Sequence, residues 1–97
     1  MAKQYVVYLL ASGLNGTLYV GVTSNLIQRV FQHKQDMADG FTKKYGIKHL
    51  VWYEVHEDVL EAIRREKQIK KWNRVWKIER IQENNPRWQD LYSTLIP

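Results

Sequence analysis

Glu66 places a carboxylate on an apolar stripe. Read as a helix, the run from Val59 to Lys71 puts Val59, Ala62, Ile63 and Ile69 on one face. Glu66 follows Ala62 by four residues and Ile63 by three, and precedes Ile69 by three. At about 100° per residue it falls near the middle of that face. A buried carboxylate costs free energy unless a cation or a metal ion pairs with it. The spacing leaves two kinds of partner open. One is a cationic side chain, either Lys70 one turn on or Arg29 from a neighbouring helix. The other is a divalent ion.

Two further groups could act with it. Tyr8 and Tyr19 each sit in a short apolar run, Val6-Val7-Tyr8 and Tyr19-Val20-Gly21. Packing is the ordinary use of a strand tyrosine. To serve as base or donor, the phenol needs a lowered pKa or a hydrogen-bonding partner. Arg29 and His33 are four apart, hence on one side of a helix, flanking the apolar stripe beside Leu26 and Val30. They form either a boundary pair or a grip for a phosphate, with Arg as a planar charged fork and His as donor or proton shuttle.

The elements that must position these residues follow from patterning. Tyr5 to Leu10 is continuous, apolar and rich in β formers, which predicts a buried strand. Ser12 to Gly16 is turn chemistry, and Thr17 to Val22 is a second strand, so the two form a hairpin. Thr23-Ser24-Asn25 offers helix N-caps, and a helix runs from Leu26 to about Gln35. Asp36 to Tyr45 reads as a polar, glycine-containing connection. Ile47 to Val55 is a third strand. Asp58 caps the helix carrying Glu66, which ends near Trp72 or Asn73. A shorter helix, about Val75 to Gln82, follows. Asn84-Asn85-Pro86 breaks it, and Pro86 opens a last helical turn toward Leu91. The order ββαβαα predicts the α+β class, a small three-stranded antiparallel sheet flanked by helices. There are no repeats, low-complexity segments or linkers, and 97 residues are expected to form a single domain over 1–97.

Composition narrows the function classes. Cysteine is absent, which excludes disulfides and Cys-ligated zinc and fits a reducing cytosol. The first apolar stretch, Tyr5 to Ala11, is too short to span a membrane and lacks signal-peptide architecture, so a cytoplasmic location without membrane attachment is expected. The formal charge is +5. Arg64, Arg65, Lys67, Lys70, Lys71, Arg74, Lys77 and Arg80 crowd one short region, opposed there by Glu66 and Glu79. Such a run is either a solvated helical face or a phosphate-contacting surface. Trp72, Trp76 and Trp88 lie in or near it, either as core or as rings able to stack on bases.

Taken in order, these residues resemble the GIY-YIG endonuclease family, and in particular its small stand-alone bacterial members. The family's first tripeptide corresponds to Val6-Val7-Tyr8, which keeps the tyrosine with valines in place of Gly and Ile. The second corresponds to Tyr19-Val20-Gly21. Thr23, Asn25-Leu26, Arg29 and His33 follow as in the family. The metal-binding glutamate corresponds to Glu66 in Arg-Arg-Glu-Lys-Gln-Ile-Lys-Lys-Trp. The segment from Asn85 to Leu91 shares the resemblance, which covers essentially the whole chain. The family's late asparagine has no clean match among Asn73, Asn84 and Asn85.

The resemblance implies hydrolysis of a DNA phosphodiester with one divalent ion, Mg²⁺ or Mn²⁺, possible substrates being structured DNA of repair or recombination. Carried over by position, Glu66 would hold the metal and Tyr19 would be the general base. Arg29 would stabilise charge on the phosphate, with Tyr8 and His33 positioning water or phosphate. Tyr8 or His33 could share the base role. Arg64, Arg65, Lys67, Lys70, Lys71 and Arg74 would line the DNA track, giving affinity with little sequence readout. A partner protein or the substrate's structure would supply targeting. The alternative is a nucleic-acid-binding module of the same fold with little or no cleavage. A blander option is a protein-interaction domain with a solvated basic helix.

Overall fold

The computed structural model describes residues 3–38 and 40–96. Three strands form one sheet: β1 (Tyr5–Ala11), β2 (Leu18–Thr23) and β3 (His49–His56), in the order β2-β1-β3 with both pairings antiparallel. Among the described residues the helices are α1 (Leu26–Lys34), α2 (Gly40–Tyr45), α3 (Val59–Lys71), α4 (Arg74–Asn84) and α5 (Tyr92–Leu95). The α+β class and the flanked antiparallel sheet are as the pattern predicts.

The sheet separates two apolar layers. β1 is central and buried on both sides, which is why its sequence is continuously apolar. Alternation sends Val7, Leu9 and Ala11 to one face and Val6, Tyr8 and Leu10 to the other. The first face packs on Ala62 and Ile69 of α3 and Ile81 of α4, the second on Leu26 and Val30 of α1. Each fully buried aliphatic of this kind contributes roughly 1.5–3 kcal/mol. α3 lies across β1 and β2.

Asn25 caps α1 by accepting from the Gln28 N–H, and Asp58 caps α3 by accepting from the Leu60 N–H. The cap expected among Thr23, Ser24 and Asn25 is therefore Asn25. At α4 the cap is Asn73, whose Oδ1 accepts from the Trp76 N–H at 2.9 Å.

The β1–β3 register shifts between Leu9, opposite Trp52, and Leu10, opposite Leu50. Val51 is the extra residue, a bulge that leaves its main-chain groups out of the regular ladder. The side chain of Asn85, itself buried, donates from Nδ2 to the Val51 carbonyl at 3.1 Å. The same amide is bound to Gln89, donating to its carbonyl and accepting from its N–H. Beside it, Asp90 accepts from the Leu50 and Tyr92 N–H groups and pairs with Lys34, while the Leu91 N–H donates to the Leu50 carbonyl at 2.7 Å. The C-terminal segment thus covers part of an edge strand. Burial pushes the Asp90 carboxyl pKa up. The Lys34 and backbone hydrogen bonds outweigh this and hold it below the usual range.

Three local expectations are corrected. The connection from Asp36 to Tyr45 contains a short helix, α2, although residue 39 lies outside the described residues. Six residues with a single buried side chain, Thr42, carry no helical apolar period to read. Its visible signal is Gly46, which closes the helix at φ 63°. Ile47 is buried but precedes β3 rather than belonging to it. The turn from Pro86 to Leu91 is not helical. Trp88 takes a left-handed conformation (φ 55°) that drives its ring into the core at 3% exposure, and the helical turn forms later, at α5. Burial of the indole offsets a backbone strain of about 1–2 kcal/mol.

Candidate active site

The β1–β2 register sets Tyr8 opposite Gly21. A β carbon at Gly21 would stand 2.4 Å from Cζ and Oη of Tyr8. The Tyr8 ring therefore lies across its cross-strand neighbour, and that position must be glycine. Tyr19, two residues before Gly21, faces the same side of β2, with ring centroids of the two tyrosines 6.4 Å apart. On this face α1 presents His33. Its Nε2 lies 3.2 Å from the Tyr8 hydroxyl, and its ring centroid lies 5.3 Å from that of Tyr19.

The other imidazole nitrogen, Nδ1, lies 3.1 Å from Oγ1 of Thr42 on α2. Tyr8, His33 and Thr42 are all essentially buried, while Tyr19 is half-buried. In a neutral imidazole one nitrogen donates and the other accepts, and both hydroxyls can do either. Two arrangements satisfy the chain. Thr42 donates to Nδ1 while Nε2–H donates to Tyr8, or Nδ1–H donates to Thr42 while Tyr8 donates to Nε2. Thr42 was not visible as a site residue in the sequence. The signal was the Gly-Phe-Thr-Lys-Lys-Tyr segment closed by Gly46, too short for periodicity to mark.

Glu66 comes from the opposite side. It is 7% exposed, between the buried Ala62 and Ile69 of α3, and its Oε1 lies 2.5 Å from the Lys70 ammonium. The ion pair allowed by the spacing is thus formed with Lys70. Arg29 stays at the margin of α1, half-buried, donating to Gln32 Oε1 at 3.3 Å. Of the five expected residues, the fold gathers Tyr8, Tyr19 and His33 into one ring cluster, and sets Glu66 and Arg29 on the helices flanking the same two strands. Of the three candidate asparagines, Asn73 caps α4, Asn85 holds the bulge and Asn84 ends α4.

The six cations assigned to a DNA track divide. Arg65 donates to both carboxylate oxygens of Glu54 and to Gln68, and Arg74 donates to the Asn15 and Gly16 carbonyls of the hairpin loop. Those two bind the protein itself. Arg64, Lys67 and Lys71 are exposed along α3, and Lys70 reaches across to Glu66. Burial would raise the Glu54 pKa, but bonds from His56 and Arg65 bring it below the usual range. Burial, then repulsion by Arg74, lowers that of Lys77.

Among the described residues no group of three or more His, Asp or Glu could hold a metal. The donor set still fits one hard divalent ion, because Mg²⁺ is commonly held by one carboxylate with waters and phosphate oxygens. An ammonium already rests against the Glu66 carboxylate, so the position accepts positive charge. No described helix is long and apolar enough to cross a membrane.

Residues 4–79 match the model of the GIY-YIG catalytic domain. UPF0213 proteins of Staphylococcus aureus strains Mu3, Mu50 and N315 are 35% identical over 69 residues, covering 71% of this chain and 84% of theirs. The solution structure of the UPF0213 protein BH0048 from Bacillus halodurans has the same fold, with a TM-score of 0.55 at 23% identity over 90% of this chain and 92% of that one. The tyrosine of the first tripeptide, which forces the glycine of the second, is thus part of a match that spans most of the sequence, and this chain belongs to the GIY-YIG family, a nuclease-type domain.

Proposed function

We propose that this protein is a divalent-metal-dependent DNA endonuclease working with a single ion. The observation that carries the reading is the ring cluster of Tyr8, Tyr19 and His33 locked around Gly21. It places two phenols and an imidazole together. Glu66 lies on the helix crossing the other face of β1 and β2, and a phosphate served by both faces would lie across the β2 edge.

A bound Mg²⁺ or Mn²⁺ would be held by Glu66 and would supply Lewis-acid stabilisation of the phosphate and leaving oxygen. Tyr19, more accessible than Tyr8, orients the attacking water and, as the phenolate, accepts its proton. His33 holds Tyr8 through the 3.2 Å contact, and Thr42 holds His33. Arg29 neutralises charge developing on the phosphate. Arg64, Lys67 and Lys71 contact the backbone of the DNA.

The test is incubation with supercoiled, nicked and branched DNA in Mg²⁺ or Mn²⁺. Cleavage is expected from the wild type and lost in Glu66→Ala and Tyr19→Phe. Cleavage surviving Glu66→Ala would sink the site. The competing reading is a nucleic-acid-binding module without cleavage, favoured by the Lys70 ammonium at the carboxylate. It predicts salt-sensitive DNA binding with no metal-dependent nicking.

A further inference from the structure

Between the end of α3 and one face of α4 lies a cleft that this chemistry does not use. Trp72, the C-cap of α3, is half-buried, with the guanidinium carbons of Arg65 and Arg80 5.1 and 5.5 Å from its ring centroid. Trp76 stands edge-on to it, at 80° and 6.3 Å between centroids, and is 54% exposed. Trp72, Trp76, Glu79, Arg80 and Glu83 line an open cavity of about 310 Å³.

The charges around this cleft are sorted. Exposed Lys71 lies in sequence beside Trp72 and suits a phosphate backbone. At the cavity itself stand two carboxylates, of which Glu83 pairs with Arg80 at 3.4 Å while Glu79 is exposed. Carboxylates repel a phosphate, but they accept hydrogen bonds from the exocyclic amino group of a base. Arg65 and Arg80 brace Trp72, and Trp72 meets Trp76 in a perpendicular ring contact. That leaves a half-exposed indole on a basic surface with a hydrogen-bond acceptor beside it.

We propose that Trp76 is a stacking platform for an unpaired nucleobase, so that this protein takes single-stranded or branched DNA in preference to continuous duplex. In a duplex each base face is already covered by its neighbours, whereas a strand end, gap or branch offers an open one. The cleft opens at the C-terminal end of α3, the helix that carries Glu66. The inference rests on the DNA-substrate reading above and names the class of DNA.

Anisotropy titrations in EDTA, with a labelled single-stranded oligonucleotide and the matching blunt duplex, test it apart from cleavage. Trp76→Ala is expected to weaken binding of the single strand by about 5- to 150-fold. Trp76→Phe is expected to keep part of that affinity. Duplex binding and the salt slope should stay as in the wild type, because no phosphate contact is lost. Unchanged single-strand affinity in Trp76→Ala overturns the proposal. So does an equal loss on strand and duplex, or a self-association that disappears with Trp76 in sedimentation equilibrium, which would make a second copy the occupant. Binding that depends on Trp76 in a protein that never cleaves would leave this proposal standing and remove the nuclease reading. Glu66-dependent cleavage with binding indifferent to Trp76 would do the reverse.

Discussion

Two buried polar clusters, at opposite ends of the described chain, are built on different principles. At the C-terminal end, Asn85 and Asp90 bind mostly main chain, the Val51 bulge carbonyl and the Leu50 and Tyr92 N–H groups, with the Lys34 ammonium beside Asp90. On the α1 face of β1 and β2, the contacts from Tyr8 to His33 and from His33 to Thr42 run from side chain to side chain. The first cluster satisfies backbone groups that the sheet exposes, so removing a member leaves an orphan donor or acceptor. The second orients hydroxyls and an imidazole. Burial of a polar residue thus says little about function until its partners are known.

Substitutions in the two clusters should separate along this line. The largest effect is expected from His33→Gln, which removes the imidazole. Cleavage should fall by about 10²-fold or more, while circular dichroism reports a folded protein. Retained cleavage would reduce His33 to packing. Asn85→Ala should do the opposite. Leaving the bulge carbonyl without its donor costs about 1–3 kcal/mol, which lowers Tm by about 4–8 °C per kcal/mol. Cleavage per folded molecule should be unchanged. If activity collapses while Tm holds, the assignment of Asn85 to the fold is wrong.

Gly21→Ala joins the two behaviours, because the added carbon meets the Tyr8 ring. Stability should drop by about 1–3 kcal/mol and cleavage should fall with it, since Tyr8 cannot keep its place. Thr42→Val keeps shape and removes the hydroxyl. About a tenfold loss of kcat, close to 1.4 kcal/mol, is expected, together with a stability loss of about 1–3 kcal/mol from the buried imidazole nitrogen left without the hydroxyl. Thr42→Ser should restore activity. Equal losses in the valine and serine variants would show that Thr42 acts by packing.

The smallest effect concerns pH. The Asp90 pKa is lowered in the folded protein, so its contribution to stability is present above the ordinary carboxylate range and is lost as pH falls through the lowered value. Glu54 behaves in the same way. Asp90→Asn should therefore lower stability at neutral pH and flatten the decline below about pH 4, by under about 1 kcal/mol for a partly exposed pair. A full acid limb in Asp90→Asn would assign that limb to other carboxylates.

Much of this was legible along the chain. The hairpin, α1, α3 and the order of strands follow from apolar periods and turn residues, because those signals are local. Glu66 was marked by its place on the α3 stripe, and Tyr8, Tyr19 and His33 by the order they share with the GIY-YIG family. What local pattern could not carry was pairing. The extra residue at Val51 depends on a partner strand, so the task of Asn85 was hidden. α2 has no period to display, so Thr42 was hidden with it. Arg65 and Arg74 looked like surface charge until Glu54 and the hairpin loop were brought to them.

The sequence by itself determined the family, the residue types of the candidate site and the apolar faces of the elements that carry them, since each depends on identity and spacing along the chain. Tertiary structure decided which of these residues meet: Tyr8 with Gly21 and His33, His33 with Thr42, Glu66 with Lys70. Those contacts join residues on different elements, or choose among partners that spacing leaves equal. Such a choice depends on how elements pack, which no single stretch of the chain encodes.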